Sequence, residues 1–208
     1  MATLRVEHVG HHFGRLVLFR DLSVTLRGGE ALAVTGANGA GKSTLLRILA
    51  GILTPRGGTV TLTVDGTVVP DERHSRHAGL VAPAVGTYEE LTARENLRFL
   101  AQARRLPDAE ARINTVLDRV GLAARADDRV ATYSSGMQQR VKYAAALLAD
   151  PPLLLLDEPA ANLDAAGREM VNALVARQKQ QGKVLVVATN RADEADRCDR
   201  QLRIENHR

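Results

Sequence analysis

Apolar positions along this chain follow two periods, and the places where the period changes mark the elements. Leu4 to Val9 alternates as a strand, and Val17 to Leu26 reads as its partner, arranged around a turn at Arg20-Asp21. Leu32-Ala33-Val34-Thr35, Pro152 to Leu156 and Lys183 to Ala188 are instead almost unbroken apolar runs, the pattern of strands buried on both faces of a parallel sheet. Thr59 to Val64, a turn at Asp65-Gly66 and the return Thr67-Val68-Val69 read as a hairpin, and Gly79 to Ala82 as a short strand. Helical spacing carries Leu45, Leu46, Ile48 and Leu49, stopped by Gly51 and Pro55. It returns from Ala93 through Leu97, Leu100 and Ala101 to a break at Pro107. A third helix, with Asp108 as its cap, places Ile113, Val116, Leu117 and Val120 on one face and ends at Gly121. Further helices carry Val141, Ala144, Ala145, Leu147 and Leu148, and span Ala165 to Gln180 before Gly182. Asp199 to Ile204 adds an edge strand. These elements predict an α/β fold: a mainly parallel sheet with flanking helices, an N-terminal antiparallel β subdomain, and an inserted α-helical subdomain at 89–131. The whole span 1–208 reads as one domain, with 1–88 and 132–208 forming the core and its β subdomain.

Composition narrows the classes. No apolar run is long enough to cross a bilayer, and the first residues lack the apolar stretch of a secretory signal, so a cytoplasmic location is expected. The single cysteine, Cys198, excludes an internal disulfide. A net charge of +4 suggests anionic partners, but Lys and Arg are scattered and aromatic residues are only 3%, which leaves few base-stacking platforms. No direct nucleic-acid contact is expected. The six histidines have no metal-ligand spacing and read as surface residues.

The candidate chemistry lies where buried strands end. After Thr35 comes Gly36-Ala37-Asn38-Gly39-Ala40-Gly41-Lys42-Ser43-Thr44, which satisfies the phosphate-loop pattern G-x-x-x-x-G-K-[ST] from Gly36 to Ser43. Gly36, Gly39 and Gly41 permit backbone angles that let successive N–H groups point into one concavity, and the helix that follows adds its positive end. Lys42 can reach β- and γ-phosphates, and the Ser43 hydroxyl can bind Mg2+. The chain therefore reads as a P-loop nucleoside triphosphatase core. Leu153 to Leu156 ends in Asp157-Glu158, carboxylates at the edge of the sheet where ligands bind. Asp157 is placed to hold Mg2+, and Glu158 to polarise an attacking water. Phe13, before a turn in the first strand pair, is placed to stack on an adenine; a core or surface role fits it nearly as well. Ser134-Ser135-Gly136 opens a helix with small residues, as an anion site or as an ordinary serine cap.

Taken together and in this order, these motifs resemble those of ABC-type ATPases over essentially the whole chain. The resemblance makes Gly36 to Ser43 the Walker A loop, Asp157-Glu158 the Walker B end, Phe13 the adenine-stacking aromatic and Asn162-Leu163-Asp164 the D-loop. Tyr133 to Met137 matches the signature LSGGQ in part, with Ser135 replacing glycine and Met137 replacing glutamine. The resemblance implies ATP and Mg2+ as ligands and a head-to-tail homodimer sandwiching two ATP molecules. It also implies an integral-membrane permease, docked near the loop after Val81 and the helical subdomain, and so a peripheral position on the inner face of the cell membrane. Two departures stand out: Pro83 where the family usually has glutamine, and Asn190 where it usually has histidine. Proline offers neither a side-chain amide nor an N–H, and asparagine can donate a hydrogen bond to a γ-phosphate but cannot carry charge, so slowed hydrolysis is expected. The compact length is similar to the ATPase of heme exporters in cytochrome c maturation. Other classes with the same motifs are soluble ABC-type ATPases acting on ribosomes or DNA, and weakly hydrolysing ATP-dependent switches.

Overall fold

A computed structural model describes residues 1–207; Arg208, the last residue of the span assigned above, lies outside the described residues. In chain order the strands are β1 (Ala2–Phe13), β2 (Leu16–Arg27), β3 (Ala31–Thr35), β4 (Gly57–Val64), β5 (Thr67–Val68), β6 (Ala78–Val81), β7 (Leu153–Asp157), β8 (Val184–Ala188) and β9 (Arg200–Arg203). The helices are α1 (Lys42–Leu49), α2 (Asp71–His74), α3 (Ala93–Arg104), α4 (Ala109–Arg119), α5 (Ser135–Leu147), α6 (Ala165–Gln180) and α7 (Ala192–Ala195).

The strands form two sheets: an antiparallel one in the order β2-β1-β4-β5, and a parallel one in the order β6-β7-β8-β3-β9. The central parallel strands β3, β7 and β8 are apolar along almost their whole length because each of their faces is covered, whereas the edge strand β9 buries only Leu202. Leu32 and Val34 of β3, Leu153 and Leu155 of β7, and Val184 and Val186 of β8 pack with the antiparallel sheet and α1. The alternate residues Leu154, Leu156, Leu185 and Val187 pack with α3, α4, α5 and α6. This is the period-two pattern of a strand read twice, once for each layer.

Topology matters most at one edge. β8 lies between β3 and β7, pairing Val34 with Ala188 and Asp157 with Ala188. The Thr189 N–H donates to Val34 O at 3.0 Å and the Glu158 N–H to Ala188 O at 2.8 Å, so three strand ends converge.

Three local expectations need correction. β2 runs unbroken through Arg20-Asp21, where a turn is predicted; the irregularity is a bulge, with His8 and Asp21 at φ 51° and 50° and the register shifting between Val6 and Val9. An extra residue can be absorbed this way because both strands keep their partners on either side. Asp108 stands at the start of α4, but at φ 53° its side chain makes no capping hydrogen bond. His11 and His74 are not surface residues, each being only 3% exposed. His11 packs edge-on to Phe13 with ring centroids 4.8 Å apart, and His74 lies under the end of α1 against Gly51. Burial pushes both imidazoles below their ordinary range.

Unpredicted caps also appear. Thr92 opens α3 with a capping box to Glu95, and Asp164 opens α6 by accepting the Gly167 N–H.

Candidate nucleotide site

The loop between β3 and α1 turns on glycines. Gly36 and Gly41 have φ of 148° and 107°, and a Cβ on Gly41 would lie 3.1 Å from the Cβ of Leu18. Those angles let Gly41 end the loop directly on the start of α1 without side-chain obstruction. The Ala40 N–H closes the turn onto Ala37 O at 3.1 Å, and Ala40 itself is buried.

This loop forms one wall of a 410 Å³ cleft. Asn38, Gly39, Gly41, Lys42, Ser43 and Thr44 line that wall. Asp157 and Glu158 face it from the end of β7, and Pro83 closes a third side from the loop after β6. Phe13 stands at the mouth with Leu18, half its surface exposed. Residues more than 140 positions apart in sequence thus converge at the edge that the β7-β8-β3 order creates.

The electrostatics are asymmetric. Lys42 is 7% exposed and its Nζ donates to Gly36 O at 2.7 Å, Ala37 O at 3.2 Å and Asn190 Oδ1 at 2.8 Å. Asn190 in turn donates from Nδ2 to Asn38 Oδ1 at 2.5 Å. Asp157 is buried at the strand end. Glu158 follows it in the left-handed backbone region, at φ 50°. Desolvation holds its carboxyl above the usual carboxylate range, with Glu194 and Asp157 adding to the shift and Lys42 offsetting part of it. Tyr143 of α5, buried, donates from its hydroxyl to Pro159 O at 2.8 Å and props the segment that follows the two acids.

The cleft fits a Mg2+-bound triphosphate by its donor chemistry. Ser43 and Asp157 offer hard oxygen ligands in the same cleft as the Lys42 ammonium. Among the described residues no group of three or more His, Cys, Asp or Glu is placed to hold a metal. A Mg2+ ion here would therefore draw on these two oxygens together with phosphate and water oxygens, as that ion commonly does.

Ser134, Ser135 and Gly136 do not line this cleft. Ser134 caps α5 by accepting the Met137 N–H at 3.3 Å, and a Cβ on Gly136 would lie 3.4 Å from Asn162 O, so the small-residue stretch sits beside the Asn162-Leu163-Asp164 loop.

One neighbour of the phosphate loop escaped the sequence reading. Glu205 Oε1 accepts the Ala37 N–H at 2.5 Å from a 3-10 turn at Ile204–His207, 168 residues along the chain. No motif marks it; only the pairing of β9 with β3 brings it there. Beyond the edge strand predicted at Asp199 to Ile204, the tail thus reaches the phosphate loop itself.

Comparison with known proteins agrees with this geometry. The profile of the ABC transporter family matches residues 19–161. The chain belongs to the ABC transporter family. It is similar to the linearmycin resistance ATP-binding protein LnrL of Bacillus subtilis, 33% identical over 95% of this chain and 64% of that protein. It is likewise similar to the Nod factor export ATP-binding protein I of Sinorhizobium fredii, 38% identical over 99% of this chain and 61% of that protein. The chain thus spans rather less than two thirds of the length of these two curated relatives. A solved ATP binding subunit of an ABC transporter superposes with a TM-score of 0.84 at 31% identity, over 96% of this chain and 85% of that one. The fold is that of an ABC ATPase.

Proposed function

We propose that this ABC-family chain binds Mg·ATP in the cleft between Phe13 and Glu158, hydrolyses it, and thereby powers a transporter whose membrane-spanning part is a separate permease. The observation that carries the reading is the meeting of Lys42, Ser43, Asp157 and Glu158 in one cleft. In this reading Phe13 stacks on adenine, and the N–H groups of the loop from Gly36 to Thr44 cradle the phosphates. Lys42 takes β- and γ-phosphate oxygens, Asp157 and Ser43 hold Mg2+, and Glu158 accepts a proton from the attacking water. Bound Mg2+ supplies neutralisation of charge on the phosphates. Asn190 contributes an amide hydrogen bond without charge, and Pro83 contributes no donor, so hydrolysis is slow but retained.

Ser134, Ser135 and Gly136 lie away from their own chain's cleft, which supports a second role: contacting the ATP held by another copy in a head-to-tail dimer. The permease would dock on residues 83–88 and the helical segment 89–131, moving as a subdomain. There Tyr88 and Phe99 pack edge-on at 5.4 Å while both remain exposed, a large apolar pair left open to a partner. No described helix is long and apolar enough to cross a membrane, so on this reading the permease carries the membrane path.

The similar proteins serve Nod factor export and linearmycin resistance, which supports transport and lends no support to a specialisation in heme export. The decisive experiment is affinity purification of the tagged chain from detergent-solubilised native membranes, with mass spectrometry of what accompanies it. A polytopic permease at matching stoichiometry is expected. Recovery from cytosol with ribosomes or nucleic acid would overturn the transporter reading.

A further inference from the structure

We propose that Asn190 is a positioning residue whose carbonyl competes with a nucleotide's β-phosphate for Lys42 and so favours release of the diphosphate. This rests on the nucleotide reading above and adds to it a specific role in product discrimination.

An ammonium has three protons to donate. In Lys42 all three have acceptors, at Gly36 O, Ala37 O and Asn190 Oδ1. The first two are backbone carbonyls of the phosphate loop and move only with that loop. The third is a side chain on the segment after β8, and Asn190 is exposed, so it can swing away into water. It is the acceptor that a phosphate oxygen displaces at least cost.

The amide is also held in one orientation. Its Nδ2 donates to Asn38 Oδ1 at 2.5 Å. A flipped amide would aim N–H groups at the ammonium and oppose one oxygen to another at Asn38, so the arrangement with Oδ1 on Lys42 is fixed chemically. Asn38, Asn190 and Lys42 therefore form a connected chain of hydrogen bonds across two strand ends.

Triphosphate and diphosphate meet this chain differently. A γ-phosphate offers oxygens both to Lys42 and to the Asn190 Nδ2 that lets go of Asn38, so the broken contacts are replaced. A diphosphate brings β-oxygens to Lys42 but nothing to the displaced amide. Once the γ-phosphate has gone, Asn190 recovers Lys42 and the diphosphate loses its strongest charge contact. A protonated histidine at this position would have no acceptor with which to do the same.

The test is calorimetric titration of the full chain with Mg·ADP and with a non-hydrolysable ATP analogue. Asn190→Ala is expected to bind ADP on the order of three- to tenfold more tightly, the loss of one net hydrogen bond from the free protein. The ATP analogue should gain less, because its γ-phosphate loses the Asn190 donor. Unchanged or weaker ADP binding would overturn the proposal. Failure of the unsubstituted chain to bind either nucleotide would instead overturn the nucleotide reading itself. Asn38→Ala, which removes the acceptor that orients the amide, should tighten ADP about two- to threefold. It decides the matter by itself if Asn190→Ala does not fold. The double variant should bind ADP no more tightly than Asn190→Ala, since both remove one connected contact; an additive gain would refute the coupling.

Discussion

Glu158→Gln isolates the proposed chemical step from nucleotide binding. The substitution keeps the shape of the side chain and removes its ability to accept a proton. Glu158 is suited to that task by its surroundings: partial burial at the end of β7, beside Asp157 and Glu194, raises its carboxyl above the usual range, and Lys42 only partly offsets this. A raised carboxyl is a stronger base, nearer to neutral pH, than an ordinary glutamate. Removing a general base typically costs about 10²- to 10⁴-fold in rate, or about 3 to 5 kcal/mol of barrier. Lys42, Ser43 and Asp157 are untouched, so affinity for Mg·ATP should hold. The assay is phosphate release at saturating Mg·ATP, paired with calorimetric binding. Equal phosphate release by both forms would refute the assignment of Glu158 as the base, and release no higher than background by both would leave an ATP-dependent switch.

The same shift fixes two signs with pH. Turnover should fall on acidification through the raised value, at higher pH than for an unperturbed glutamate. A carboxyl whose folded pKa lies above its unfolded one contributes stability that is fully present below the unfolded value and is lost as pH rises through the folded value. Glu158→Gln should therefore melt at higher temperature than the unsubstituted chain at pH 7, with the gap closing towards acid. A lower melting temperature at pH 7 would contradict the burial argument.

Asn190→His restores a chargeable donor beside the γ-phosphate and should increase phosphate release; unchanged turnover would show that this position does not limit the rate. Gly41→Ala forces a side chain to φ 107° with 3.1 Å to the Cβ of Leu18, and should cost about 1 to 3 kcal/mol in denaturant unfolding and weaken nucleotide binding. Tyr143→Phe strips the buried Pro159 carbonyl of its hydroxyl donor and should cost about 1 to 2 kcal/mol, and a melting temperature equal to the parent's would refute that prop.

The sequence by itself determined the parts whose physics is local. A phosphate loop needs its glycines, lysine and serine within eight consecutive residues, because neighbouring backbone N–H groups make the cradle, so Gly36 to Ser43 was legible without a structure. The apolar strand ending in Asp157-Glu158 was legible for the same reason, since the apolar run and the two carboxylates that end it are written in adjacent positions. Helices α4 and α6 emerged close to their observed limits because their apolar faces and stop signals lie inside the segment. What only the tertiary structure decided is where these pieces meet. The last core strand inserts between the two motif strands, and nothing in its own residues says so; yet that placement is what brings Asn190 to 2.8 Å from Lys42 across 148 positions. The pairing of β9 on the other side of β3 likewise delivers Glu205 to Ala37, and the burial of His11 and His74 follows from layers packed over them, not from their neighbours in sequence. Hydrogen bonds and desolvation act through space over a few ångströms, so a chain order can announce the reacting groups while the sheet order chooses their partners.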